Sequence, residues 1–300
     1  MKAIARVKST ARQAWMSVFS SHPYEYAARA AWLGALVRRL PRSYVDDIER
    51  GVFTGRGGLI GAIVRGELER KYYASPDAAQ QRRIRDLWGG EAGRAWHADK
   101  LARYSDRERF EREYLPYRQP LVDALTELLA RDRQFHTLCE IGTGNGLFLR
   151  YLSDRLPAMR FVGIDLNADQ IAANRQVYGT APLEFESIEA LDWIEREGRP
   201  GTLFVACGTL ECLTGQELHT LLRRVAGTCT VAAFGIVEPV SFDIDTEVEA
   251  RPRGAMTYSH SYPRVFAASG FTVRSLHRRP IDARVPFLDS VSMLAVCGDA

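Results

Sequence analysis

The sequence predicts an α/β fold, a doubly wound and mostly parallel sheet with a helical extension in front of it. Three observations carry the prediction. From about residue 136 onward, short apolar runs alternate with amphipathic stretches, the pattern of strands covered by helices on both faces. The first run ends in a glycine-rich turn, Gly142-Thr143-Gly144-Asn145-Gly146, and a helical pattern follows at once. The second run ends in an acid, Asp165.

The runs that read as strands are 136–141, 160–165, 182–186, 202–207, 229–237, 271–276 and 291–297. Helical stretches fall at 145–156, 168–177, 188–196, 215–225 and 262–269. Between the last two runs lies only 278–289, with Pro280 and Pro286, so these runs are expected to pair as an antiparallel hairpin. Ahead of residue 136 the patterning is helical. Tyr26, Ala30, Leu33, Val37 and Leu40 recur at helical spacing, and a helix is expected over 59–73. Gly-rich breaks stand at 54–58 and at Gly89-Gly90. A helix from Pro120 to Leu129 turns Leu121, Leu125 and Leu128 inward, with Pro120 at its start. The chain therefore divides into a helical segment over 1–118, expected to act as a lid or docking region, and a core over 119–300.

Composition narrows the function classes. The 300 residues are 46% apolar and 26% charged, ordinary for a soluble globular protein. A net charge of +3 is too small to argue for nucleic acid. Residues 1–41 are nonetheless basic, with Lys2, Arg6, Lys8, Arg12, Arg29, Arg38 and Arg39 against Glu25. Ile4, Val7, Ala11, Trp15 and Val18 share one face of a first helix, read as packed on its own protein rather than as a transit peptide or membrane-surface helix. The five cysteines have no CxxC pair. They read as reduced thiols of a cytoplasmic protein, four inside strands and Cys212 just past a strand end. No transmembrane run and no metal-ligand spacing occur.

The chemistry is carried by the turn Glu140-Ile141-Gly142-Thr143-Gly144-Asn145-Gly146. Glycines let the backbone turn sharply and let a ligand approach the main chain. A dinucleotide-binding turn would read GxGxxG, but the position of its third glycine is Leu147. Asp165, about twenty residues past the glycines, stands where an acid can accept hydrogen bonds from both hydroxyls of a ribose.

Glu140–Gly146, Asp165 and the run Phe204-Val205-Ala206-Cys207-Gly208-Thr209-Leu210-Glu211-Cys212-Leu213 resemble the first, second and fourth motifs of class I S-adenosylmethionine-dependent methyltransferases. The Gly270-Phe271 turn before the last two strands is similar to the end of that fold. The resemblance covers about residues 120–298 and implies a Rossmann-like, seven-stranded sheet with the last strand antiparallel. It implies S-adenosyl-L-methionine as cofactor. Gly142, Gly144 and Gly146 would lie beneath it, with Glu140 orienting the loop toward its amino group. Asp165 would bind the ribose diol, Leu166 would border the adenine, and the backbone at Cys207 and Gly208 would border the methionine part. Such enzymes often carry an Asp after the third strand, near the adenine amine. This chain has Glu186-Ser187 there, and either is a candidate for the role. The cofactor's carboxylate wants donors, and Arg118, flanked by Tyr114 and Tyr117, is the candidate from the front segment.

A sulfonium methyl group is already activated, so positioning and exclusion of water supply most of the acceleration. A general base is needed only where the acceptor must lose a proton. His260, in the stretch after the fifth strand, is the first candidate because histidine titrates in the useful range. Glu211 is the second, and His219 reads as solvated. The long stretch 237–256, with Asp243, Asp245, Glu247 and Glu249, is expected to help form an acceptor pocket with the front helices.

The leading expectation is methyl transfer to oxygen or nitrogen of a small molecule, plausible in specialised metabolism. It rests on the lack of a basic patch near the core, of zinc-ligand spacing and of an Asn-Pro-Pro-Tyr run. The alternatives are a methyltransferase acting on a peptide or protein, a non-catalytic cofactor-binding scaffold, and a nicotinamide-dependent oxidoreductase, the last disfavoured by the glycine spacing. A homodimer is compatible with the sequence.

Overall fold

The computed structural model describes residues 31–50, parts of 60–68, and 85–156, 159–179, 183–241, 244, 249–254, 257–281 and 288–298. The expected first helix, the break at 54–58 and the acids Asp243, Asp245 and Glu247 lie outside the described residues. In the front segment, helices α1 (Ala31–Val37) and α2 (Arg42–Arg50) meet at a small cluster of Val37, Ile48 and Val64. Helix α3 (Glu91–Tyr104) starts after Gly90, as the glycine pair predicts. A helical run continues through a π turn, Phe110–Tyr114, and a 3₁₀ turn, Leu115–Tyr117, into α4 (Gln119–Arg131).

The core follows in strict alternation: β1 (Thr137–Ile141), α5 (Leu147–Ser153), β2 (Arg160–Asp165), α6 (Ala168–Tyr178), β3 (Leu183–Ser187), α7 (Ala190–Glu197), β4 (Thr202–Cys207), α8 (Gly215–Cys229) and β5 (Ala232–Ser241). After α9 (Tyr262–Ala268) come β8 (Thr272–Pro280) and β9 (Leu288–Cys297). The sheet order is β3-β2-β1-β4-β5-β9-β8, with β9 antiparallel to both of its neighbours and the β1–β5 pairs parallel. The expected hairpin of the last two strands is thus present.

Period-two alternation along the strands divides the core into two layers. Cys139, Ile164, Phe204, Phe234 and Met293 pack with α7, α8 and α9 on one face. Leu138, Phe161, Val205, Ala233 and Leu294 pack with α4, α5 and α6 on the other. Trp193, Phe148, Leu121 and Leu125 are wholly or almost wholly buried, which fixes the helices against the sheet.

Two expectations are corrected. Cys229 is the last residue of α8 and not part of a strand; the chain turns at Thr230, which has φ 57°, before β5 begins. The stretch 237–256 is not one loop. β5 runs on to Ser241, and a separate hairpin forms from β6 (Ala250–Gly254) and β7 (Thr257–His260). All five cysteines are free.

Candidate active site

The site lies at the C-terminal ends of β1, β2 and β4, where an open α/β sheet leaves a crevice. The glycine turn forms its floor. Gly142, Gly144 and Gly146 have φ of 67°, 51° and 70°, a region that residues with a Cβ rarely enter. At Gly144 space is also decisive, because a Cβ there would collide with the His97 ring. Gly146 ends the turn as the N-cap of α5.

Asp165 is tied to this turn. One carboxylate oxygen accepts the Gly144 N–H at 2.9 Å and the other accepts the Asn167 N–H at 3.0 Å. Asn167 caps α6 by accepting the Gln170 N–H, and its amide donates to the Trp88 and Gly90 carbonyls at 3.1 and 3.0 Å. That one side chain therefore fastens the start of α3 to the loop after β2. Asn145 adds a 3.5 Å contact from its amide to the His97 carbonyl.

Glu140 lies beneath the turn, 3% exposed, and accepts the Thr143 hydroxyl at 2.7 Å. Burial pushes its carboxyl up to about 8, against the pull of that hydroxyl and of the Arg118 guanidinium. Arg118 stacks over the Tyr114 ring at 3.5 Å and donates to the Tyr114 carbonyl, while its Nε is buried without a hydrogen-bond partner.

These groups line one cavity of about 480 Å³. Glu140, Gly142–Asn145, Asp165, Leu166, Cys207, Gly208 and Arg118 all border it, so the sequence-predicted cofactor residues are largely brought together. Gly146, Glu186 and Ser187 do not border it. Glu186 pairs with Arg196, and the Ser187 hydroxyl donates to the Leu166 carbonyl at 3.4 Å. The register pairs Ser187 with Asp165 inside the sheet, so the chain reaches the cavity only beyond it, at Ile188 and Glu189.

Neither expected base borders the cavity. His260 ends β7, 1% exposed between Tyr258 and Tyr262, with Nε2 3.0 Å from the Leu213 carbonyl. Glu211 stands in the 3₁₀ turn after β4, its backbone N–H held by Glu238. His219 is not solvated: its ring nitrogens meet Ser269 Oγ at 3.0 Å and Glu249 at 3.1 Å. The described part of the 237–256 stretch contributes no cavity wall.

Other residues close the site. Trp88, Trp96, His97 and Lys100 line it from the front segment. Trp96 meets Trp88 edge-on at 5.3 Å and His97 at 5.1 Å between centroids. Burial pushes the His97 imidazole down to about 4, with Asp165 opposing and Lys100 adding to the shift. Glu238, fully buried within β5 just past its last pair with β4, accepts the N–H groups of Thr209 and Leu210 at 3.0 Å and of Glu211 at 3.3 Å. It holds the loop that borders the cavity after β4.

The residues suit a sulfonium nucleoside with an amino-acid tail. Asp165 offers acceptors at one end, and the partnerless Nε of Arg118 waits for an anion at the other. Among the described residues no group of acids, histidines or cysteines is arranged to hold a metal, and no helix is long and apolar enough to cross a membrane.

Comparison with known proteins agrees. Residues 138–230 match the family model described as a methyltransferase domain. Among solved structures, magnesium protoporphyrin IX methyltransferase from Synechocystis with bound S-adenosylhomocysteine is 13% identical. It superposes with a TM-score of 0.51 over 73% of this chain and 100% of that one. The 1,6-didemethyltoxoflavin-N1-methyltransferase of Burkholderia thailandensis is 20% identical, with a TM-score of 0.45 over 70% of this chain and 90% of the other. No curated protein matches the chain in sequence. Residues 138–230 are thus a methyltransferase domain by their family match, and they sit in a sheet whose order is that of the Rossmann-like methyltransferase fold.

Proposed function

We propose that the chain transfers a methyl group from S-adenosyl-L-methionine to an oxygen or nitrogen atom of a small molecule. The observation that carries this reading is the roof of the cavity. Trp88, Trp96, His97 and Lys100 cover the glycine turn, and Asn167 pins their helix to the sheet edge. A cavity roofed by Trp88, Trp96 and His97 suits a small acceptor better than a folded protein surface.

Within that reading each residue has a task. Asp165 accepts the ribose hydroxyls while it holds Gly144. Leu166 and Ile188 flank the adenine, and Glu189 takes the place expected of Glu186 or Ser187. Arg118 receives the carboxylate, and Glu140 faces the amino group from below the turn. The backbone at Cys207 and Gly208 borders the methionine chain. Burial pushes the Cys207 thiol far up, so it serves as a wall and not as a nucleophile. The bound cofactor supplies an electrophilic methyl group. Residues 85–118 of the front segment act as the lid and exclude water from the reacting atoms.

Calorimetric titration with S-adenosylhomocysteine and with NAD tests the cofactor half. Binding of the first and not the second is expected. Incubation with labelled cofactor and cell extract tests the acceptor half. Label on a small molecule supports the reading, and label confined to protein overturns it.

A further inference from the structure

Lys100 is the charged group in the cavity that the cofactor assignment leaves unused. It sits one turn beyond His97 on α3, so both side chains project from one helical face. Its Nζ lies 3.6 Å from the centre of the Trp96 ring, and it borders the cavity with Trp88, Tyr114, Arg118 and Cys207. No carboxylate among the described residues lies within ion-pairing distance of it. Three of the four cavity acids are engaged elsewhere, Glu140 with Thr143, Asp165 with Gly144 and Asn167, and Glu217 with Arg85 and Thr214, and the fourth, Glu189, stands at the N-cap of α7.

The face of Trp96 favours the charged form of this amine, and burial opposes it. Burial pushes the Lys100 ammonium down to about 7, and Arg118 and Arg103 repel it further, against a small pull from Cys207. His97, uncharged near neutrality, offers no compensating anion. The front wall that carries Lys100 is aromatic, with Trp88 and Trp96 edge to face. Such a wall favours a flat ring.

We propose that Lys100 is the proton acceptor of the methyl-transfer step, and that the acceptor is a flat aromatic molecule bearing an acidic hydroxyl, seated against Trp88 and Trp96. This rests on the cofactor placement given above. The hydroxyl oxygen forms a bond to the methyl carbon, and the carbon–sulfur bond breaks with its electron pair remaining on sulfur. The hydroxyl proton passes to the neutral amine of Lys100. One positive charge is lost at the sulfonium as one appears on the ammonium, so the net charge of the closed chamber does not change. An aromatic hydroxyl is matched to this base, because a proton acceptor titrating near the working pH is the most effective. An aliphatic amine acceptor would hold its proton more tightly than Lys100 holds its own.

The test uses the full chain saturated with S-adenosylhomocysteine and the probe 4-nitrophenol, whose phenolate absorbs visibly. Wild-type protein is expected to raise the phenolate band on binding the probe near pH 7. Lys100→Met, which keeps the length and apolar stem, should abolish that rise. Lys100→Arg, which cannot take up a proton at this pH, should only displace the probe's own titration to lower pH through its fixed charge. Affinity for S-adenosylhomocysteine should stay within about threefold of wild type in both variants, roughly 0.7 kcal/mol. A band that rises equally in wild type and Lys100→Met, or that never rises, overturns the proposal. So does a loss of S-adenosylhomocysteine binding of tenfold or more in Lys100→Met, which would make Lys100 a clamp on the cofactor. If wild-type protein itself fails to bind S-adenosylhomocysteine, the cofactor reading fails instead.

Discussion

The Asp165 carboxylate accepts the backbone N–H of Gly144 at 2.9 Å, across 21 residues of sequence. The acid expected to meet a ribose is therefore also what fixes the turn beneath it. Replacing Asp165 with Ala removes a charged acceptor and leaves the Gly144 N–H unpaired, a loss of about 1.5–3 kcal/mol. Affinity for S-adenosylhomocysteine, measured by calorimetry, should fall roughly 10- to 100-fold. Asp165→Asn keeps an oxygen for Gly144 and should recover part of that loss. Unchanged affinity in Asp165→Ala would sink the ribose assignment.

The α3 wall of the cavity should respond to acid through His97. Its imidazole is held well below its ordinary value, at about 4 against 6.5. A base whose folded pKa is depressed adds stability that is present above the unfolded value and is lost as pH falls toward the folded one. The window here is thus about 6.5 down to about 4. Protonation would place a buried cation over Gly144 and loosen α3. Wild-type thermal stability should fall across that window more steeply than that of His97→Gln. Parallel curves for the two proteins would remove His97 from the account.

What the sequence made legible was local in the chain. The glycine turn and Asp165 stand out because each is a backbone requirement at the end of an apolar strand. The cavity wall on α3 is not legible in this way. On α3 the buried positions are only Ala92 and Gly93, while Trp96, His97 and Lys100 face the cavity. Polar and aromatic residues share that wall, so apolar periodicity does not mark it. The burial of His260 is hidden in the sequence because β6, the sequence Ala-Arg-Pro-Arg-Gly, lacks the strand alternation that would mark its hairpin with β7. Glu238 does carry a signal in the sequence: a lone acid within the apolar run of β5 must be buried and must therefore be bonded.

Glu238 offers a test of the loop after β4. Its two oxygens collect three backbone N–H groups, and Glu238→Gln exchanges one of them for a donor facing the Glu211 N–H. The expected cost is about 1–3 kcal/mol of stability, read by denaturant unfolding. Burial raises the wild-type carboxyl to about 7 from 4.5. For an acid raised in the folded state, the contribution is complete below the unfolded value and is lost as pH climbs through the folded one. The deficit of the variant should therefore be largest near pH 4.5 and shrink toward pH 7. A deficit that grows over this range would mean that the wild-type carboxylate is favoured in the loop.

Arg118 separates the two ends of the cofactor. Its guanidinium is held flat over Tyr114, leaving a buried Nε aimed at no protein acceptor. A carboxylate there would gain a charge-assisted hydrogen bond. S-adenosylhomocysteine carries that carboxylate, whereas 5′-methylthioadenosine has the same nucleoside without it. In Arg118→Met the stacking stem is kept and the donors are removed. Affinity for S-adenosylhomocysteine should fall roughly 10- to 100-fold, equivalent to about 1.5–3 kcal/mol, while affinity for 5′-methylthioadenosine should hardly move. Equal losses for both ligands would show that Arg118 supports the cavity wall and does not read the carboxylate. An equal affinity of wild-type protein for the two ligands would place the carboxylate outside its reach.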